Sequence, residues 1–251
     1  MNYMGSKSAI AKYILPIIQQ YINKYKIDTY IEPFVGGANV IDRIDANVKI
    51  GSDINKYLIA LLDHVSNGEK LLGYCNKELY DEVRDFYNGK SDNNYADWFV
   101  GEVGFLASFN GRFFDGGYAK SGFDNGKFRD YYKEHYTNLM SQNLKGIDFR
   151  HCDYHEYADY KNCLFYCDPP YADTKEYATS FDSEKFFEFA RKLSQNNIVI
   201  ISELSAPDDF IEIWKMPVSR NINACDKFTA IEKMFIHESN KNYIIKRKRL
   251  F

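Results

Sequence analysis

The sequence predicts an α/β fold: a doubly wound, mostly parallel sheet interrupted by one long, mainly helical insertion. Three observations predict it. A buried strand, a glycine loop and a second strand ending in an acid follow one another within residues 29–53. No strand of that kind recurs between about residues 67 and 145. Near-continuous apolar runs then return at Asn162–Cys167 and Ile198–Ser202, as strands buried on both faces of a parallel sheet require.

The elements follow in order. Ile10, Tyr13, Ile14, Ile17, Ile18 and Tyr21 recur at helical spacing and predict a first helix from about Ser8 to Lys24, with Pro16 as a possible kink. Thr29-Tyr30-Ile31 reads as a short buried strand, and after the loop Ala38-Asn39-Val40-Ile41 is expected to open a helix. Val48–Asp53 is the second strand, and Ile54-Asn55-Lys56-Tyr57-Leu58 starts another helix. In the insertion, Phe105–Tyr118 is expected to form a compact loop or hairpin that exposes aromatic and basic groups. An amphipathic helix over Ser183–Leu193 precedes the Ile198 strand. Met234–His237 and Tyr243–Lys246 are expected to close the sheet as a hairpin around Ser239-Asn240-Lys241. The organisation is a core of residues 1–66 and 146–251 with an inserted domain over 67–145.

Composition narrows the class. Of 251 residues, 45% are hydrophobic, enough for a full core. No apolar run reaches the roughly 18 residues of a membrane span, and Met1–Ile10 lacks the apolar stretch of a signal peptide. A cytoplasmic protein with no membrane partner is expected. Five cysteines, an odd number, argue against a disulfide scaffold. A net charge of −3 argues against a non-specific nucleic-acid coat while leaving room for local basic patches. Aromatics at 17% suit base stacking, and suit equally an AT-rich coding sequence.

Chemistry concentrates at two places. Phe34-Val35-Gly36-Gly37 lets backbone approach a ligand closely, although it lacks the GxGxxG spacing of a dinucleotide site. That missing spacing counts against a nicotinamide oxidoreductase. Asp53, at the end of the second strand, is placed either to accept from a ribose diol or to cap the next helix. Asp168-Pro169-Pro170-Tyr171 is more specific. Two prolines remove two N–H donors and leave carbonyl oxygens beside a carboxylate, a pocket that only accepts hydrogen bonds. Such a pocket suits an exocyclic amine, and Tyr171 offers a face for an extruded base.

These motifs resemble the Dam-type DNA adenine N6-methyltransferase family over nearly the whole chain. Tyr3-Met4-Gly5-Ser6-Lys7 is similar to its N-terminal segment, and the resemblance implies cofactor contacts from Tyr3, Gly5 and Lys7. Glu32-Pro33-Phe34-Val35-Gly36-Gly37 resembles its S-adenosylmethionine loop, which implies cofactor roles for Glu32, Pro33, Phe34, Gly36 and Gly37. Asp53 matches the ribose-binding acid, and Asp153 falls where the family contacts the cofactor adenine. Asp168, Pro169, Pro170 and Tyr171 match the catalytic motif, whose Asp adjoins cofactor and base. Phe109-Asn110-Gly111 is similar to the family's DNA-reading hairpin, but a guanine-reading basic residue would fall near Phe114. The nearest cation is Arg112, so the resemblance implies the chemistry and not a GATC target. Lys175 and Tyr177, with Thr174, follow the catalytic motif and are expected near the flipped base or DNA backbone.

The expected function is methyl transfer from S-adenosylmethionine, leaving S-adenosylhomocysteine, to the N6 amine of a flipped-out adenine in double-stranded DNA. No metal is expected, because Cys163 and Cys167 sit in an apolar strand and no CxxC pair occurs. Glu203 is expected as a second acid near the site or as a helix cap, and Lys246-Arg247-Lys248-Arg249 as a solvated end or a phosphate contact. N4-cytosine methylation and a non-catalytic DNA-binding regulator of the same fold are the competing readings. A separate restriction endonuclease is a candidate partner.

Overall fold

The structure is a computed structural model and describes residues 1–124, 126–170, 181–221 and 227–245. Its elements run α1 (Ala11–Tyr25), β1 (Thr29–Glu32), β2 (Val48–Asp53), α2 (Lys56–Ser66), α3 (Lys77–Tyr87) and α4 (Asp97–Leu106). They continue β3 (Gly122–Asp124), β4 (Lys127–Arg129), α5 (Tyr131–Met140), β5 (Ile147–His151), β6 (Cys163–Cys167), α6 (Ser183–Leu193), β7 (Ile198–Glu203), β8 (Phe210–Asn221) and β9 (Lys227–His237). Seven strands form one sheet in the order β5-β2-β1-β6-β7-β9-β8. The pairs β2–β5, β1–β6 and β6–β7 are parallel, and β9 pairs antiparallel with both β7 and β8. The expected α/β class with a mostly parallel sheet is the observed one.

The chain packs as two compact units, one of Met1–Leu15, Val35–Ile44 and Lys49–Asp153, the other of Pro16–Phe34, Asp45–Val48 and Tyr154–Phe251. In the second, β6 and β7 are buried at every position, which is why their sequences carry no polar alternation. Cys163 and Cys167 are buried free thiols within β6. Among the described residues no helix is long and apolar enough to cross a membrane.

In the first unit, α4 packs against α2 and α5 and carries Glu102, a fully buried carboxylate. Tyr132 Oη donates to Glu102 Oε1 at 2.5 Å, and the backbone N–H groups of Leu72 and Gly73 donate at 3.1 and 3.2 Å. His135 of α5 is buried and its Nδ1 lies 2.9 Å from Leu106 O at the end of α4. Burial holds its pKa below the usual histidine value.

Four expectations need correction. The first helix begins at Ala11, because a separate 3-10 turn at Lys7–Ala9, capped by Ser6 Oγ, occupies the preceding residues. The residues after the glycine loop form only a 3-10 turn, Ile41–Arg43. Ala38 sits at φ 55 there, a left-handed conformation that cannot enter a right-handed helix. The closing hairpin is β8–β9, a register that pairs Phe210 with His237. Residues Glu238–Tyr243 instead turn as a 3-10 helix, capped by the His237 side chain accepting from Ser239 N. The strand β5 was not expected; its half-charged sequence suits a strand with one partner at the sheet edge, and it pairs only with β2.

Glu102→Ala strands three internal donors and should cost about 3 kcal/mol in urea unfolding. His135 gives a second test. Its folded form binds fewer protons than its unfolded form near pH 6.5, so stability present above that value is lost as pH falls. The drop in urea midpoint between about pH 7.5 and about pH 5 should be smaller in His135→Gln than in the wild type.

Candidate active site

The parallel register of β1 and β6 sets Thr29 against Cys163, Tyr30 against Leu164 and Ile31 against Phe165. Glu32 is the last residue of β1 and Asp168 directly follows the end of β6, so both stand at the carboxyl-terminal edge of the sheet. Glu32 is buried and accepts from Tyr30 Oη at 2.6 Å. The Tyr30 phenol is pushed well above its ordinary pKa by burial and by that carboxylate. The Cys167 thiol is driven up by burial first, then by the charges of Asp168 and Glu32. Both acids thus stand at the carboxyl ends of paired parallel strands. Asp168 and Pro170 are half-buried and Pro169 is buried. Pro33 is buried, and Phe34 packs its ring against Tyr154 at 5.4 Å and edge-on to Phe186 at 5.6 Å. This aromatic seat was not read from the sequence, because Tyr154 and Phe186 become partners only in three dimensions.

Glu203 ends β7 beside β6 and is buried. Its Oε2 accepts from Leu204 N at 2.6 Å, and no helix intervenes before β8, so the helix-cap expectation is replaced by a turn at a strand end. Tyr171, Thr174, Lys175 and Tyr177 lie outside the described residues, as does the Lys246–Arg249 run.

The glycine loop belongs to the other unit, with Asp53. Gly36 adopts φ 47, and a Cβ there would stand 2.9 Å from Tyr3 Cε1, so the Tyr3 ring lies directly on the loop backbone. A Cβ on Gly37 would meet Tyr3 Cβ at 2.8 Å. Gly5 has φ 77 with open space around its Cβ position, and Lys7 is buried. Asp53 Oδ2 accepts from Gly36 N at 3.3 Å and Oδ1 from Asn55 N at 3.0 Å. Burial raises the Asp53 carboxyl above the usual range, against those backbone donors. Asn55, not Asp53, caps α2 through its own side chain. Each Asp53 oxygen keeps lone-pair capacity for a further donor. Asp153 follows β5 and is exposed.

The expected DNA-reading segment is a turn closed by a Ser108–Tyr118 bridge. Phe109 and Asn110 are exposed, Asn110 in the left-handed region at φ 55, and Arg112 is half-buried. The aromatic groups beyond it turn inward, correcting the expectation of exposure. Phe113 stacks on Tyr57 at 5.6 Å, and Phe114 is buried against Tyr80 and Tyr87. Ser108 Oγ accepts from Phe114 N, and Tyr80 Oη donates to Phe114 O. Position 114 is therefore a core position, its Phe ring turned in against Tyr80 and Tyr87.

Comparison with known proteins agrees with these motifs. The family described as D12 class N6 adenine-specific DNA methyltransferase matches residues 3–241. The Type II methyltransferase M.FokI of Planomicrobium okeanokoites is 31% identical over 102 residues, 35% of this chain and 15% of that protein. Two solved structures of the rRNA methyltransferase aviRa from Streptomyces viridochromogenes align at 11% and 10% identity. They cover 98% and 90% of this chain and 90% and 85% of theirs, with TM-scores of 0.39 and 0.37.

Gly36→Ala must displace the Tyr3 ring as well as hold an alanine at positive φ, whereas Gly5→Ala meets only the backbone strain. Chemical denaturation should show a loss of about 1 kcal/mol for Gly5→Ala and a larger one for Gly36→Ala.

Proposed function

This chain belongs to the D12 class of N6 adenine-specific DNA methyltransferases, and from that premise we propose that it moves a methyl group from S-adenosylmethionine to the N6 amine of adenine in duplex DNA. The observation that carries the reading is the meeting of Glu32 and Asp168-Pro169 at the ends of adjacent parallel strands. The chain runs outward from β1 through β2 to β5, then returns to the other flank of β1 as β6.

The donor set fits the cofactor. Asp53 has acceptor capacity for ribose hydroxyls, and Tyr3 closes over the Gly36-Gly37 backbone. Gly5, Lys7, Glu32, Pro33, Phe34, Asp153 and Asp168 complete the proposed cofactor residues. Bound S-adenosylmethionine supplies an electrophilic methyl on a sulfonium sulfur. The residues of the chain do the rest. The Asp168 carboxylate and the Pro169 carbonyl accept the two N6 hydrogens, which favours a pyramidal nitrogen with an available lone pair. Pro170 keeps the segment free of a competing N–H, and Tyr171 stacks on the extruded base. Rate enhancement then comes from positioning and electrostatics, with no metal and no covalent enzyme intermediate.

Residues 67–145 serve as the inserted target-recognition domain in this reading. Phe109, Asn110 and Arg112 face DNA, and Lys175 and Tyr177 contact the backbone or flipped base. The Type II name of M.FokI supports a pairing with a separate restriction endonuclease, in the cytoplasm.

The test is transfer of labelled methyl to unmethylated duplex DNA, followed by nucleoside digestion and site mapping. N6-methyladenine at one short motif is expected. N4-methylcytosine as the product would reject the substrate assignment, and DNA binding without transfer would favour a regulator. Asp168→Ala should keep the wild-type melting temperature and lose at least ~100-fold in turnover; unchanged turnover would end the proposed mechanism.

A further inference from the structure

Gln142 follows the capping Ser141 of α5, at the end of the inserted segment, yet its side chain reaches the glycine loop. Its Nε2 donates to Gly37 O and Ala38 O, each at 3.0 Å. Asp42 lies against the same amide. Ala38 is a non-glycine residue at φ 55, a conformation that persists only where surrounding bonds over-determine it. Two bonds do so here: Ala38 N to Val35 O at 2.9 Å, and Gln142 to Ala38 O.

The same side of α5 is tied to the exposed DNA-facing turn. Asn138, one helical turn before Gln142, donates to Asn2 Oδ1 at 3.1 Å. On Asn2 sits Gly111, where a Cβ would fall 2.5 Å from Asn2 O, so the Phe109–Gly111 turn rests on this backbone in van der Waals contact. The next residue, Tyr3, lies on Gly36. Phe109 itself meets Tyr131, the first residue of α5, with ring centroids 6.2 Å apart. Asn39 locks the remaining side, donating to Met1 O and Ser6 Oγ, both at 2.9 Å. The turn, α5, Asn2-Tyr3 and the glycine loop therefore form one continuous packed set within a single compact unit.

We propose that Gln142 is a positioning residue that holds the Gly37-Ala38 carbonyls and makes cofactor affinity depend on DNA at the Phe109–Arg112 turn. The proposal rests on the reading of the glycine loop as an S-adenosylmethionine site. DNA that orders the turn orders Asn2-Tyr3 and α5, and through Gln142 the strained loop. By linkage, cofactor must then strengthen DNA binding by the same factor.

The test uses the full chain and S-adenosylhomocysteine, titrated calorimetrically with and without an unmethylated duplex several kilobases long, which contains any short recognition site. The wild type should bind S-adenosylhomocysteine several-fold more tightly with DNA present. Gln142→Ala should bind about tenfold more weakly with DNA present, and its ratio of affinities with and without DNA should fall towards one. Gln142→Glu, which cannot donate, should behave alike, and Asn138→Ala should lower the ratio with a smaller effect on affinity alone. A purely structural Gln142 would weaken both affinities equally, and that preserved ratio overturns the proposal. A wild type whose affinity ignores DNA overturns it too. A wild type that binds no S-adenosylhomocysteine overturns the cofactor reading itself, and this coupling with it.

Discussion

Parallel pairing of β1 with β6 is the constraint on which the rest of this molecule depends. Parallel neighbours cannot be joined by a tight turn, so a crossover must separate them. Here the crossover holds β2, the helices α2 to α5 with β3 and β4 among them, and β5. The entropic cost of closing a loop grows only slowly with its length, which leaves room for so large an excursion. The pairing also decides chemistry. Because both strands point the same way, their carboxyl-terminal ends coincide, and residues far apart in sequence, Glu32 and Asp168, come to act on the same buried thiol.

Acids buried near a core are costly unless donors meet them, and the molecule meets them in two ways. Glu102 is surrounded by a phenol and two backbone N–H groups belonging to the pieces it joins. It is a structural centre joining α4 to α5 and to the Leu72-Gly73 backbone. Asp53 is held by the backbone N–H of Gly36 on the glycine loop and that of Asn55, the cap of α2, while its oxygens keep capacity for a further donor. Backbone donors orient Asp53, whereas internal partners converge on Glu102 from several directions.

Much of the architecture was legible because burial on both faces leaves a direct mark on sequence. β6 and β7 are apolar throughout, and Ser183–Leu193 repeats its apolar residues at helical spacing, so both were readable as they stand. β5 was not, since an edge strand with exposed alternate positions looks like loop sequence. The closing hairpin failed for a different reason. His237, Ser239 and Asn240 make side-chain bonds that end the strand and start a 3-10 turn, with Asn240 Oδ1 accepting from Val199 N on β7. The partners of Asn240, Val199 and Ser194, are distant in sequence and leave no local signal. The Phe105–Tyr118 segment was correctly compact, but its aromatic rings were read as exposed because Tyr57, Tyr80 and Tyr87 are supplied by α2 and α3.

The sequence by itself determined the α/β class and the motifs at the strand ends, because glycine, proline and acid residues act through local backbone geometry. It also determined the family, because those motifs occur in a specific order. Only the tertiary structure decided which groups stand together. It seated Phe34 among Tyr154 and Phe186, drew Phe114 into the core, and brought Gln142 from just beyond α5 onto the glycine loop. The reason is physical: a side chain's partners are set by packing and hydrogen-bond satisfaction summed over the whole fold, and neither quantity is local to a stretch of chain.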